Sequence, residues 1–354
     1  MHGSTSAAPE EPTGSYREAE KDRFEKRWKL QITNTAQFDD FNWKRTIGIG
    51  SFGRVVYATH KRSNRGFAIK ILNKSTVVQM EQVERTLMEK RILQSVNNKF
   101  LIDLRFVFKT NSNLFLVIPF IPGGELFTYM RNTDSFADDQ VMFYTAQVVL
   151  AFEYLHAMDI VYRDLKPENV LLDCDGYVRM VDYGFAKRLG SDKKTYSFVG
   201  TPEYVAPEML LPNQRKAGYG FSVDWWSLGV FVWELKNRQT PFAGDSLFQV
   251  FDRIVRGKYS LPKDWDAVLV DLLKKIFQVD VAKRIGCGVS GSKEIKDHAW
   301  FAPISWKMLY EKKMAPVFLP QCSNADELSN YMHYEEKPLR ETDQEEYAQL
   351  FQSF

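Results

Sequence analysis

The hydrophobic period changes once along this chain, and that change limits the fold more than any other feature. The zone from Phe41 to about Leu72 reads as strands, with turn signals at Ser63-Asn64-Arg65-Gly66. A helical stretch near Val77 to Ser95 follows, then two more strand-like runs, LIDLRFVFK and NLFLVIPFI. Past Pro122-Gly123-Gly124 the period becomes helical: FADDQVMFYTAQVVLAFEYLHAM, VDWWSLGVFVWELK and AVLVDLLKKIFQ. Strands first and helices later describe an α+β chain in which a sheet lobe joins a helix lobe.

At 354 residues, 44% hydrophobic and 26% charged, the chain has material for one large or two moderate soluble domains. A net charge of +2 sets up no global field toward nucleic acid or an anionic membrane, so charge is read locally. Cys174, Cys287 and Cys322 are odd in number, far apart and in no metal-binding spacing, which fits a reducing compartment. No apolar run reaches the roughly 18 residues of a membrane span. The opening MHGSTSAAPEEPTGS has neither a signal-peptide core nor a glycine after Met1, so a cytoplasmic or nuclear location is expected. Residues 1 to about 15 are small and polar and are expected to be disordered. A helix is expected over YREAEKDRFEKRWKL, with Phe24, Trp28 and Leu30 as its apolar points. The last fifty or so residues carry little periodicity. Between Asp326 and Glu346 stand eight acidic residues against two basic ones, the pattern of an extended strap rather than a core.

The run IGIGSFGRVV places Gly48, Gly50 and Gly53 in G-x-G-x-x-G spacing. Glycine lets backbone N–H groups approach a phosphate with no Cβ in the way. The same spacing also suits a plain hairpin turn. Because the glycines lie between two strand-like runs, a Rossmann site is disfavoured and a lid over nucleotide phosphates fits better. In GFAIKIL, alternation puts Phe67, Ile69 and Ile71 on one face and Ala68, Lys70 and Leu72 on the other. A lysine among apolar neighbours either snorkels at a sheet edge or meets an anion. Glu89 leans toward the apolar face of the EQVERTLMEKRIL helix and is the candidate partner.

In VYRDLKPENVLLD, Asp164, Lys166 and Asn169 follow no helix or strand period, and Pro167 interrupts them. Polar residues so close to apolar runs point to loop chemistry. Asn169, with Asp182 of VDYG, offers the hard oxygens that magnesium on a nucleotide requires. Asp164 is left to orient an acceptor hydroxyl and take its proton, and Lys166 to neutralise a transferring phosphoryl group.

IGIGSFGRV, FAIK, Glu89, YRDLKPEN, DYG and Ala206-Pro207-Glu208, in this order, resemble a eukaryotic protein kinase over roughly Phe24 to Phe354. RDLKPEN is similar to the serine/threonine branch. Tyr162, GTPEYVAPE, DWWSLGV and the terminal FQSF resemble the AGC group, and within it the cyclic-AMP-dependent catalytic subunits. The resemblance implies a bilobal kinase fold: a small antiparallel sheet lobe with one main helix, a larger helical lobe, and a C-terminal tail wrapping both. It divides the chain into residues 1–40 (disordered start and N-terminal helix), 41–301 (kinase domain, lobes meeting near 121–122) and 302–354 (tail ending in a hydrophobic motif).

Carried over position by position, the resemblance makes Asp164 the catalytic base, with Lys166, Asn169 and Thr201 beside it. Asn169 and Asp182 become the Mg2+ ligands. ATP would lie among Ile47, Gly48, Gly50, Ser51, Phe52, Gly53, Val55, Ala68, Lys70, Glu89, Ile118, Pro119, Ile121, Glu125 and Tyr331. The first helix would pack across both lobes, and Phe351 and Phe354 would dock beside the helix bearing Glu89. Ser197 matches an activating phosphorylation site whose phosphate would tie the activation loop to the catalytic loop, with Arg85, Arg163 and Lys187 as the cations that would pair with it; its replacement by alanine is expected to lower activity sharply. Thr342 falls near a tail phosphosite. Glu125, Glu168 and Glu234 match residues that read arginines two and three places before the target, and Phe198, Pro202 and Val205 match the pocket for the residue after it. The implied substrate is Arg-Arg-x-Ser/Thr-hydrophobic.

Departures are specific. Tyr183 replaces phenylalanine in the metal-binding motif and brings a hydroxyl that needs a partner. Pro119 has no N–H, but the family uses its carbonyl there and takes the donor from Ile121. Tyr196 and Val199 stand where the cyclic-AMP-dependent subunits have tryptophan and cysteine, and Tyr331, followed by Tyr334, stands where the tail has phenylalanine. A regulatory subunit with a pseudosubstrate and cyclic-nucleotide-binding domains is the partner implied. An AGC kinase outside cyclic-nucleotide control and a non-catalytic scaffold are the alternatives.

Overall fold

A computed structural model describes residues 14–133, 135–322 and 328–354; the expected disorder over residues 1 to about 15 falls almost wholly outside this range, as do Asp326 and Glu327. The first helix is α1 (Gly14–Lys29). Strands β1 (Phe41–Gly50), β2 (Gly53–His60) and β3 (Arg65–Asn73) follow, then helices α2 (Lys74–Gln79) and α3 (Val83–Ser95), then β4 (Phe106–Lys109) and β5 (Asn113–Pro119). These five strands form one antiparallel sheet in the order β1-β2-β3-β5-β4.

The alternation read in GFAIKIL is the one observed. Phe67, Ile69 and Ile71 pack with Val56, Ala58, Phe108, Phe115 and Val117 on the outer face of the sheet. Ala68 faces the other way, with Ile47, Tyr57 and Phe120. Ile47 reaches this inner face because β1 is irregular between Trp43 and Arg45 and again between Thr46 and Gly48, which shifts its side-chain parity. The single helical stretch expected from Val77 to Ser95 is two helices. The break falls at Met80–Gln82, where Glu81 takes φ +56°. Of LIDLRFVFK only the second half is a strand; Leu101 makes an isolated bridge to Met180.

The large lobe opens with α4 (Leu126–Asn132) and α5 (Asp138–Ala157). Short pairs β6 (Ile160–Val161) with β9 (Lys187–Arg188) and β7 (Val170–Leu172) with β8 (Val178–Met180) frame the cleft. Helices α6 (Pro207–Leu210), α7 (Pro212–Ala217), α8 (Ser222–Asn237), α9 (Leu247–Val255), α10 (Ala267–Ile276) and α11 (Ser292–Lys296) follow, with α12 (Trp306–Tyr310) after them. α8 is buried nearly all round, from Val223 to Leu235, so it forms the axis of the core rather than an amphipathic cover. No described helix is long and apolar enough to cross a membrane.

α1 spans the lobes. Phe24 and Trp28 are buried, and the Trp28 ring meets the guanidinium groups of both Arg91 from α3 and Arg188 from β9. Leu30, expected to be a third contact, is 55% exposed because the helix has already ended at Lys29. The tail is an extended strap. Glu336 accepts from Thr46, Asn113 donates to the Arg340 carbonyl, and Glu345 pairs with both Lys74 and Lys109. Phe351 and Phe354 end it, fully buried, with Lys90 of α3 donating to the Ser353 carbonyl at 2.5 Å.

Candidate active site

β3 carries Lys70 into the cleft with its Nζ 2.6 Å from Glu89 Oε1 and 3.2 Å from Asp182 Oδ1. Glu89 is presented by α3 and is itself buried. Burial works against the Lys70 ammonium, but Asp182 and Glu89 outweigh it and raise its pKa above the ordinary lysine range. Burial raises the Glu89 carboxyl, with the Lys70 charge pulling the other way. Asp182 is also desolvated, yet Lys70, the Gly184 N–H and Lys166 hold its carboxyl below the usual range. The lysine therefore stays charged and aimed into the cleft. Asp182 sits at φ +61°, a conformation that costs a non-glycine residue free energy and here turns the carboxylate inward.

The loop from Tyr162 to Asn169 is pinned from below. Asp224, fully buried at the start of α8, accepts from the backbone N–H of Tyr162 at 2.9 Å and of Arg163 at 2.8 Å, and contacts His156 at 2.8 Å. These bonds hold Arg163 at φ +69° and lift Asp164 toward the cleft. Asp164 Oδ1 accepts from the Thr201 hydroxyl at 3.0 Å; Oδ2 accepts from Asn169 Nδ2 at 2.8 Å and pairs with Lys166 at 3.3 Å. Burial raises the Asp164 carboxyl above the usual range, and Lys166 opposes that.

The donor set suits a hard divalent cation. Asn169 Nδ2 is engaged by the Asp164 carbonyl and carboxylate, which leaves its amide oxygen as a donor to a cation, and the bonds of Asp182 to Lys70 and Gly184 use only Oδ1.

At the sheet end, Ile47, Val55, Ala68, Ile118 and Tyr331 form one apolar cluster, joined by Tyr57, Phe120 and Leu328, which the sequence reading did not name. Alternation held a signal for two of them: Tyr57 is two from Val55, and Phe120 two from Ile118. The Tyr331 hydroxyl donates to the Ile121 carbonyl at 2.6 Å, and Arg45 donates to the Leu328 and Tyr331 carbonyls. Gly53 is required by the fold itself, since a Cβ there would lie 1.8 Å from the Ile71 carbonyl oxygen. Gly48 and Gly50 have room around them and leave the inner surface of the hairpin open. Ser51 and Phe52 make its turn, and Phe52 packs against the main core.

Glu125 directly precedes α4, Glu168 lies in the turn Pro167–Asn169, and Glu234 lies in the last turn of α8 with the Tyr204 hydroxyl donating to it. Burial pushes Glu125 up, with the charge of Glu168 adding to it. Burial pushes Glu234 up to about 7, again with a contribution from Glu168, so the three carboxylates form one electrostatic cluster. Val205 is buried, Pro202 is exposed, and Phe198 stands edge-on to Phe251 of α9 at 6.2 Å, a contact no local pattern signalled.

Ser197 Oγ accepts from Arg163 at 2.9 Å. Of the other two cations expected around it, Lys187 donates to Thr195, two residues before Ser197, at 3.2 Å, and Arg85 donates to Gln82 at 2.9 Å with its guanidinium over the Phe185 ring. Thr342 shares a 2.7 Å hydrogen bond with Ser112.

Comparison with known proteins gives a concordant result. Residues 41–301 match the family model described as protein kinase domain. The chain is 37% identical over 320 residues to the cAMP-dependent protein kinase catalytic subunit of Dictyostelium discoideum, covering 89% of this chain and 48% of that one. It is 38% identical over 319 residues to catalytic subunit 3 of Drosophila melanogaster, covering 89% and 54%. With the catalytic subunit PRKX of Homo sapiens it shares 37% over 297 residues, covering 84% and 81%. The chain thus spans about half the length of the first two relatives and most of the third.

Proposed function

The chain belongs to the protein kinase family, and from that premise we propose that it transfers the γ-phosphoryl group of ATP to serine or threonine in peptides carrying arginines two and three residues before the target. The observation that carries this reading is the convergence of Lys70 on Glu89 and Asp182 opposite Asp164 and Asn169. Asn169 and Asp182 would hold Mg2+, which supplies charge neutralisation on the phosphates. Lys70 binds and orients the α- and β-phosphates. The adenine edge meets the Pro119 carbonyl and the Ile121 N–H, with Ile47, Val55, Ala68 and Tyr331 on its faces.

Asp164 orients the acceptor hydroxyl. As the hydroxyl oxygen bonds to the γ-phosphorus, the bond from that phosphorus to the β–γ bridging oxygen breaks, ADP leaves, and the proton passes to Asp164. Lys166 and Thr201 steady Asp164 from one side and face the transferring group from the other. A turnover near 10 per second corresponds to a barrier of roughly 16 kcal/mol, so positioning and fixed charge supply most of the acceleration.

Glu125, Glu168 and Glu234 recognise the arginines, and Phe198 with Phe251 covers the apolar residue after the target. The relatives are named as catalytic subunits of cAMP-dependent kinases, which supports control by a separate regulatory chain bearing a pseudosubstrate. Tyr196, 52% exposed and in place of the tryptophan expected by resemblance, favours a second reading in which that control is absent.

The test incubates the purified chain with magnesium-ATP and a peptide library varied at two and three residues before serine. Phosphorylation that rises with arginine at both positions is the expected result; indifference at both removes the specificity. Inhibition by a pseudosubstrate-bearing regulatory chain, relieved by a cyclic nucleotide, separates the two modes of control.

A further inference from the structure

Thr195 and Tyr219 exchange both backbone hydrogen bonds: the Thr195 N–H donates to the Tyr219 carbonyl at 2.9 Å, and the Tyr219 N–H to the Thr195 carbonyl at 3.0 Å. This isolated antiparallel bridge joins the segment before Ser197 to the loop that leads into α8. Its closeness depends on the two flanking glycines. Gly218 sits at φ +78°, and a Cβ there would lie 2.8 Å from the Tyr196 ring; at Gly220 it would lie 2.8 Å from the Lys193 carbonyl oxygen. Lys194 Nζ donates to the Ala217 carbonyl at 2.7 Å, closing the clamp from outside.

The Tyr219 side chain is buried within this clamp. Its hydroxyl accepts from Arg163 Nη1 at 2.9 Å and donates to the Ser197 carbonyl oxygen. The same Nη1 donates to Ser197 Oγ at 2.9 Å, while Arg163 Nε holds the Phe185 carbonyl at 2.7 Å. Thr195 is buried, with its hydroxyl accepting from Lys187. The Ser197 end of the segment is therefore tied to Arg163, beside Asp164, and the Thr195 end to Tyr219 and Lys187, all without any phosphate.

We propose that Tyr219 is a positioning residue whose hydroxyl keeps the Thr195–Ser197 segment ordered against Arg163, so that a phosphate on Ser197 strengthens an arrangement already formed rather than creating it. The catalytic consequence rests on the function proposed above; the ordering itself does not. Tyr219→Phe keeps the buried ring and removes only the hydroxyl.

The test measures peptide phosphorylation by the full chain and by Tyr219→Phe, each with Ser197 phosphorylated and with Ser197→Ala, alongside tryptic cleavage after Lys193 and Lys194. In the Ser197→Ala background, Tyr219→Phe is expected to lower kcat about tenfold with peptide KM unchanged, and to speed cleavage severalfold. With Ser197 phosphorylated, both effects fall below about threefold. A Ser197→Ala chain with no transfer at all, an equal effect of Tyr219→Phe in both backgrounds, or unchanged cleavage would each overturn the proposal. If even the phosphorylated parent chain transfers nothing, the kinase reading fails, and the cleavage rates alone decide whether Tyr219 orders the segment.

Discussion

The Tyr183 hydroxyl donates to the Ile102 carbonyl oxygen at 3.0 Å, with the Tyr183 ring fully buried. The extra oxygen that sets this residue apart from the phenylalanine expected by resemblance is thus bonded to the segment that follows α3. Burial raises its pKa well above the ordinary tyrosine value, so it remains a donor. A Tyr183→Phe variant leaves the Ile102 carbonyl without that donor, at a cost of about 1–2 kcal/mol. Urea unfolding is expected to show a lower midpoint with an unchanged slope, while peptide phosphorylation stays within about threefold. Asp182 keeps its bonds to Lys70 and Gly184 in this variant.

Asp164→Ala removes the proton acceptor and leaves the nucleotide-facing groups in place. The expected loss in kcat is roughly 10²–10⁴, the usual range for a general base, with KM for ATP changed only a few-fold. A variant that keeps its kcat would remove Asp164 from the reaction.

Glu234 gives a pH dependence with a definite sign. Its carboxyl is pushed up to about 7 by burial, with Glu168 and Glu203 adding to the effect, so it is ionised above neutrality and gains a proton below it. Lowering pH from 8 to 6 is expected to raise KM for an arginine-bearing peptide severalfold, and Glu234→Gln should flatten that profile. The folded chain also holds this proton more tightly than the unfolded one. Glu234 therefore opposes folding increasingly as pH rises from about 4.5 to 7, and Glu234→Gln should unfold at higher urea than the parent at pH 8.

Phe351 and Phe354 are fully buried although they lie at the end of the chain. Phe→Ala at a core position costs about 3–5 kcal/mol, more than a terminal strap is expected to withstand locally. Replacing either should free the strap's end rather than unfold the lobe. Amide exchange near 340–354 and in α3 is then expected to accelerate, because Lys90 loses the Ser353 carbonyl and Lys109 the Phe351 carbonyl. Unchanged exchange would show that the strap is held upstream, by Glu336 and Glu345.

Legibility varied with the range of the interactions. The facing of Phe67, Ile69 and Ile71 was readable because strand alternation depends only on neighbours, whereas alternation left Lys70 to snorkel or to meet an anion, and the structure pairs it with Glu89. The break between α2 and α3 was not readable, since Gln79 to Gln82 carry no proline or glycine and the turn rests on Glu81 at positive φ. Ile47 faces the cleft only because of irregular pairing in β1, which depends on how β2 sits against it.

Local chemistry in the chain therefore determined the two lobes, the position of each loop aspartate and the glycine hairpin, because period, turn residues and motif spacing act over a few residues. Tertiary structure alone decided that Glu336 would hold Thr46 across 290 positions, that Tyr219 would stand between Arg163 and Ser197, and that Lys187 would bond Thr195. Such pairings depend on where distant backbones cross and on which donor a buried oxygen meets first, and no local pattern encodes either.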